Sequence, residues 1–240
     1  MSSINFNIDK WIALSPGLLS TEEWLNWSKN DHTWPSEPSP APVNLIKPMM
    51  RRRMSSLSKL ALQAALQVSE DQDIDYIIFS SRHGELTRTA KLIEDIMAGQ
   101  DASPMAFSQS VHNTAAGLFT ISANRATPVT SLAAVESSLH HALIEASIYL
   151  QENPNSAVLL VDFDEPLPVP YQQYEQLTYQ GYAFAAILTA GDQFQLSWCK
   201  NRLPVSESLP QSFNVIDFLL NENQQKSIID HRFKWIWTRK

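Results

Sequence analysis

The spacing of apolar residues changes repeatedly along the chain, and each change marks an expected element. Ile4, Phe6 and Ile8 alternate with polar neighbours, so positions 4–14 read as an opening strand. Ser20-Thr21-Glu22-Glu23 supplies a cap and an acidic first turn for a short helix carrying Trp24, Leu25 and Trp27. Prolines at 35, 38, 40, 42 and 48 forbid a helix or a central strand there and predict an extended excursion at about 30–50. Over 55–68, Leu57, Leu60, Ala61, Ala64, Ala65 and Val68 recur at helical spacing. Positions 74–81 form a short apolar run, which reads as a buried strand. A helix over 85–97 follows, ended by Gly99.

The second half continues the alternation of strand and helix. Positions 110–123 are helical in part, 128–133 read as a strand, 136–149 as a helix and 156–163 as a buried strand. Runs at 182–189 and 194–198, separated by Gly191-Asp192, predict a hairpin. Positions 214–220 read as a last helix, and Phe233, Trp235 and Trp237 alternate as an edge strand would. Strands separated by helices imply a mostly parallel sheet with right-handed crossovers, here five-stranded and flanked by helices, with an antiparallel edge hairpin. The 240 residues are expected to form one α/β domain.

Composition narrows the chemistry. The net charge of −7 argues against nucleic acid or an anionic membrane as partner. No apolar run of about 18 residues and no signal-peptide pattern occur, so a soluble, cytoplasmic chain with no membrane span is expected. The single Cys199 excludes an internal disulfide and a cysteine-based metal site, and reads as a buried core thiol. No phosphate-binding glycine motif occurs, and no cofactor and no metal are expected. His140 and His141 are adjacent rather than spaced as a metal pair, so one faces the core and the other faces solvent or a partner.

Four segments, in order, resemble the amino-terminal half of β-ketoacyl synthases of the thiolase-like fold. They are Arg51-Arg52-Arg53-Met54-Ser55-Ser56-Leu57, Ile77-Ile78-Phe79-Ser80-Ser81-Arg82-His83-Gly84, the loop Pro104 to Gly117 with its Asn113, and the strand-to-helix run Ser131 to Leu143. The resemblance is closest to the short chain-length-factor-like subunits of aryl polyene biosynthesis, which have about half the length of a synthase. In the synthases a nucleophilic cysteine opens the helix of the last segment, and this sequence carries Val135 there. The resemblance therefore implies a thiolase-like half fold that has lost its reagent. Valine cannot be acylated, and the histidines that the family takes from its second half have no counterpart here.

The role implied is that of a non-catalytic partner of a catalytic β-ketoacyl-ACP synthase in a heterodimer for fatty acyl or polyketide-type elongation. In that role Phe107, Ser108, Gln109, His112, Asn113 and Phe119 would shape the partner interface and the acyl tunnel. Arg51, Arg52 and Arg53 would dock an acidic acyl carrier protein, or simply form a solvated helix entry. Glu136 reads either as a first-turn carboxylate suited to the helix dipole or as a group that promotes malonyl decarboxylation. A different class of function is a free-standing serine-nucleophile acyl hydrolase or transferase, using Ser137 or Ser138 with His112 or His83 and Asp162 or Asp164, although no GxSxG elbow is present.

Overall fold

The computed structural model describes residues 2–205 and 209–240. Strand β1 (Ser2–Leu14) leads into helix α1 (Thr21–Lys29), whose start is a capping box. The Ser20 side chain accepts from the Glu23 amide, and Glu23 accepts from the Ser20 amide at 2.8 Å, so two of the free amides of the first turn are satisfied. The proline-rich excursion carries no regular element before the short helix α2 (Pro48–Arg51). Gln63 pins the excursion by accepting from the Leu45 amide and donating to Asn44. Helix α3 (Ser56–Val68) is capped by Ser55 and almost wholly buried.

Strand β2 (Tyr76–Ser80), helix α4 (Leu86–Met97), the short helix α5 (Pro104–Ser108), helix α6 (Thr114–Ala123) and strand β3 (Val129–Leu132) come next. A 3-10 turn (Val135–Ser137) leads directly into helix α7 (Ser138–Glu152) and then strand β4 (Ala157–Asp164). The chain finishes with strand β5 (Tyr182–Lys200), helix α8 (Gln211–Leu220) and the hairpin of β6 (Gln225–Ile229) and β7 (Phe233–Arg239).

The architecture is the expected α/β one, but the sheet has seven strands rather than five, ordered β3-β2-β4-β5-β7-β6 with β1 alongside β5. Its parallel core is β3-β2-β4, and the remaining pairs are antiparallel. The antiparallel edge hairpin is present, but it is β6–β7 and not the pair around Gly191-Asp192. There β5 runs on as one long strand. Phe6 pairs with Phe194 while the next residue, Asn7, pairs with Thr189, so residues 190–193 bulge out of the ladder. The Asn7 side chain sits where a Gly191 Cβ would stand, which requires glycine for close approach rather than for a turn. Strand β7 is interior, because β6 covers its outer side.

Both faces of the sheet are covered. On one face α7 and α8 pack over Ile78, Val158, Leu160 and Phe184, and Trp24, Trp27, Trp235 and Trp237 are buried there. On the other face α3 and α6 pack over Ile77, Phe79, Leu159 and Val161. Burial on both sides explains why β2 and β4 read as continuous apolar runs. Phe119 belongs to this second core. Its ring lies 5.7 Å from that of Phe79 and is fully enclosed, so it fills this chain's own interior and does not face a partner surface as anticipated. Cys199 is exposed near the end of β5, which corrects its reading as a core thiol. Among the described residues no helix is long and apolar enough to cross a membrane.

Candidate functional site

The carboxyl ends of β2 and β4 and the start of α7 meet at a cavity of about 270 Å³. Parallel α/β sheets place ligand sites at this position, because strand ends and helix starts leave backbone groups and loops unpaired with the core. Helix α8 reaches the cavity through Gln211 and Ser212, the β6–β7 turn through Asp230 and His231, and the segment 165–178 through Leu167, Tyr174, Glu175 and Leu177.

Val135 stands on the cavity wall, half exposed, with φ at 55°. A β-branched residue in the left-handed region is strained by about 1–3 kcal/mol. The surroundings impose the turn: the Ala134 amide donates to the Ser138 hydroxyl at 3.0 Å, and that hydroxyl donates to the Val135 carbonyl at 2.8 Å. Ser137 donates to the Asp230 carboxylate. Among the described residues neither serine hydroxyl has an imidazole as hydrogen-bond partner. His112 Nε2 bonds the Ser81 carbonyl at 2.9 Å, and His140 is stacked on Trp235. Asp162 and Asp164 are committed elsewhere, so the serine triad considered from sequence does not assemble.

Behind the elbow lies a polar chain that the sequence did not announce. Trp237 Nε1 donates to His140 Nε2 at 3.0 Å, His140 Nδ1 faces Gln211 Oε1, and Gln211 Nε2 donates to Asp230 at 2.9 Å. Burial pushes the His140 imidazole down to about 4, which keeps it neutral. For Asp230, burial pushes up, but donors from Ser137, Trp235 and the backbone of Phe233 and Arg232 outweigh it and hold the carboxyl below its usual range. The carboxy-terminal hairpin is thereby bolted to the elbow.

The floor of the cavity holds a second cluster. Asp162 accepts from Ser80, Ser212 and, at 2.9 Å, Tyr182. Asp164 accepts from Ser81 at 2.8 Å and from the Arg82 amide. Burial raises both carboxyls, Asp164 to about 7 despite the opposing pull of Arg82. The acidic residue foreseen next to the elbow, Glu136, lies at the cavity and pairs with His231 at 3.2 Å. His83 also lines the cavity, and burial lowers its pKa.

The other anticipated residues lie away from the cavity. Phe107 is 63% exposed on α5, Ser108 ends that helix, and Gln109 accepts from Arg88. Asn113 stands at the start of α6 without a side-chain cap. His112 packs against Gly84, where an added Cβ would lie 3.0 Å from His112 Cα. Arg52 and Arg53 are exposed beyond α2, whereas Arg51 is only partly exposed and its Nε has no hydrogen-bond partner among the described residues. Arg82, Tyr182, Gln211 and Asp230 were not singled out from sequence. Only their places at or next to the ends of strands, helices and turns could have marked them.

Comparison with known proteins fits this geometry. Residues 24–238 match the family described as beta-ketoacyl synthase, N-terminal domain. The ketosynthase ApeO in complex with its chain length factor ApeC, from Xenorhabdus doucetiae, is similar at 30% identity. That match covers 98% of this chain and 100% of that chain, with a TM-score of 0.90. The ishigamide ketosynthase/chain length factor is 15% identical over 84% of this chain and 68% of that one, with a TM-score of 0.65. A β-ketoacyl synthase from Burkholderia phymatum STM815 is 11% identical over 82% and 65% of the two chains, with a TM-score of 0.60. These last two share the fold alone. A comparison with proteins of curated function gave no match. With the family matched over most of its length and a 30% identical relative aligned almost end to end, the chain belongs to the β-ketoacyl synthase family of the thiolase-like fold, in its amino-terminal domain.

Proposed function

We propose that the chain is a non-catalytic, chain-length-factor-like subunit that completes a catalytic β-ketoacyl-ACP synthase in aryl polyene or related acyl chain elongation. The observation that carries this reading is the elbow: a strained left-handed turn at the start of α7 that holds Val135 in place of a nucleophile. A condensing site needs a thiolate at a helix start. The one thiol in the chain, Cys199, lies exposed near the end of β5. The similarity to a ketosynthase in complex with its chain length factor, at 30% identity and full coverage of that chain, points the same way.

In this role Met105 and Phe107 of α5, together with Val111, provide exposed apolar surface for the partner, with Ser108, Gln109, His112 and Asn113 beside them. A bulky side chain at Phe107 limits the acyl chain by overpacking, at about 1–3 kcal/mol for surplus methylenes. Arg51, Arg52 and Arg53 form the basic patch for an acidic carrier protein. Coexpression with a candidate ketosynthase should give a heterodimer on a sizing column, and Phe107→Ala should lengthen the product. Clean separation of the two chains, or condensation by this chain purified alone, would overturn the reading.

A second reading keeps the partnership and adds chemistry. Glu136, at the cavity and paired with His231, would promote malonyl decarboxylation. Loss of malonyl turnover in Glu136→Gln with the complex intact supports it, and unchanged turnover removes it.

A further inference from the structure

A second cavity, of about 540 Å³, opens between β1, the start of α1 and the last turn of α3, and it shares no lining residue with the cavity at the elbow. Sites for small molecules commonly enclose about 300–1,000 Å³. The walls are apolar: Trp11 of β1, Leu19 before α1, Trp24 of α1 and Val68 of α3. Trp24 is buried, and its Nε1 is spent on the Ala13 carbonyl at 2.8 Å. Trp11 is half-buried, with its ring 6.1 Å from that of Phe184. Lys10 is the one Lys, Arg, His, Asp or Glu among the lining residues. It is exposed, and its Nζ reaches from β1 to the Gln67 carbonyl on α3 at 3.5 Å, the outer limit of a hydrogen bond. An ammonium carries three donors, so it keeps donors to offer at the mouth. The Glu23 carboxylate nearby is spent on the Leu19 and Ser20 amides, at 2.8 Å each, and lines a separate groove.

We propose that this second cavity binds a small monocarboxylate with a flat, aromatic body. The carboxylate pairs with Lys10 at the mouth, and the ring lies against Trp11 and Leu19. A cation over hydrocarbon walls selects for such a molecule, because the acid gains a charge-assisted hydrogen bond while its body leaves water. Indole walls favour an aromatic body, which they meet offset or edge-on. A ligand cation would face Lys10, and a polyanion would find a single counter-charge. Thr21 and Gln67 stand on the rim, where their side chains can donate to the second carboxylate oxygen. The site goes beyond the partnership proposed above and does not depend on it.

The test compares 4-phenylbutyrate, 4-phenylbutanamide and 4-phenylbutylamine, titrated by saturation-transfer NMR into the protein as purified, alone or with its partner subunit. The carboxylate should bind saturably, and the amide and the amine at least about ten-fold more weakly. Lys10→Met keeps the apolar stem and removes the charge, and it should weaken 4-phenylbutyrate by about ten-fold, the size of one charge-assisted hydrogen bond. Lys10→Arg keeps the charge and should retain binding within about three-fold. Thr21→Trp places bulk on the rim and should abolish binding of all three probes. Because any site on a partner is common to wild type and variant, the differences report this cavity. Lys10 and Thr21 are both exposed, so neither change touches the core. Should Thr21→Trp fail to fold, the pair Lys10→Met and Lys10→Arg decides. Absence of saturable 4-phenylbutyrate binding, equal or tighter binding of the amide or the amine, or unchanged binding to Lys10→Met each overturns the proposal.

Discussion

His140 offers a quantitative handle on how the elbow is held. Its imidazole is fully buried, stacked on Trp235 at 4.5 Å, and satisfied on both nitrogens only in the neutral form with the proton on Nδ1. A second proton, on Nε2, would face the Trp237 N–H. Burial is the main cause of its pKa being lowered from 6.5 to about 4. In the unfolded chain the group takes a proton near 6.5, so between about 4 and 6.5 the unfolded state binds more protons than the folded one. Stability from this group is therefore complete above 6.5 and declines as pH falls through that window. At about 1.4 kcal/mol per pH unit, the span from 6.5 to about 4 amounts to about 3 kcal/mol, of which about 2 kcal/mol is lost by about pH 5.

The perturbation is His140→Phe, which keeps a ring against Trp235 and removes the titration. At neutral pH it strands Gln211 Oε1 and Trp237 Nε1, at about 1–3 kcal/mol each. The variant is thus about 2–6 kcal/mol less stable at about pH 7, and the difference shrinks by about 2 kcal/mol at about pH 5, since only the wild type bears the cost of a neutral histidine. Urea unfolding followed by tryptophan fluorescence at the two pH values measures both numbers. A difference that stays constant between them refutes the buried, neutral assignment.

Two further substitutions test the backbone. Val135→Gly removes a β-branched residue from φ 55° and should raise stability by about 1 kcal/mol in thermal unfolding; a loss of similar size would show that the Val135 side chain packs more than it strains. Gly84→Ala places a Cβ 3.0 Å from His112 Cα at φ +55° and should cost about 1–3 kcal/mol, with no compensating gain from a stiffer unfolded chain visible in the midpoint.

Much of the fold was legible in the chain. The 3.6-residue period of α3, the capping box of α1 and the continuous apolar runs of β2 and β4 each follow from local physics: helical faces, orphan amides, and burial on both sides of a sheet. The bulge in β5 was misread as a turn, because glycine next to aspartate serves a hairpin equally well. Only the approach of Asn7, more than 180 positions away, distinguishes the two. The strand β6 went unnoticed, since only Ile228 of its five residues is fully buried and its pattern is short.

For the site, the local run Ser131 to Leu143 was enough to mark a strand-to-helix elbow, because such a turn is written in consecutive residues; that Val135 stands where a nucleophile would be is what the resemblance to the synthases implies. The left-handed φ at Val135, the Asp230–Gln211–His140–Trp237 chain behind it and the Arg82–Asp164 ion pair needed the tertiary structure. Each depends on side chains from separate strands, helices and turns converging at one end of the sheet. Sequence periodicity records which face of an element is buried, but not which partner, drawn from far along the chain, a buried polar atom will meet.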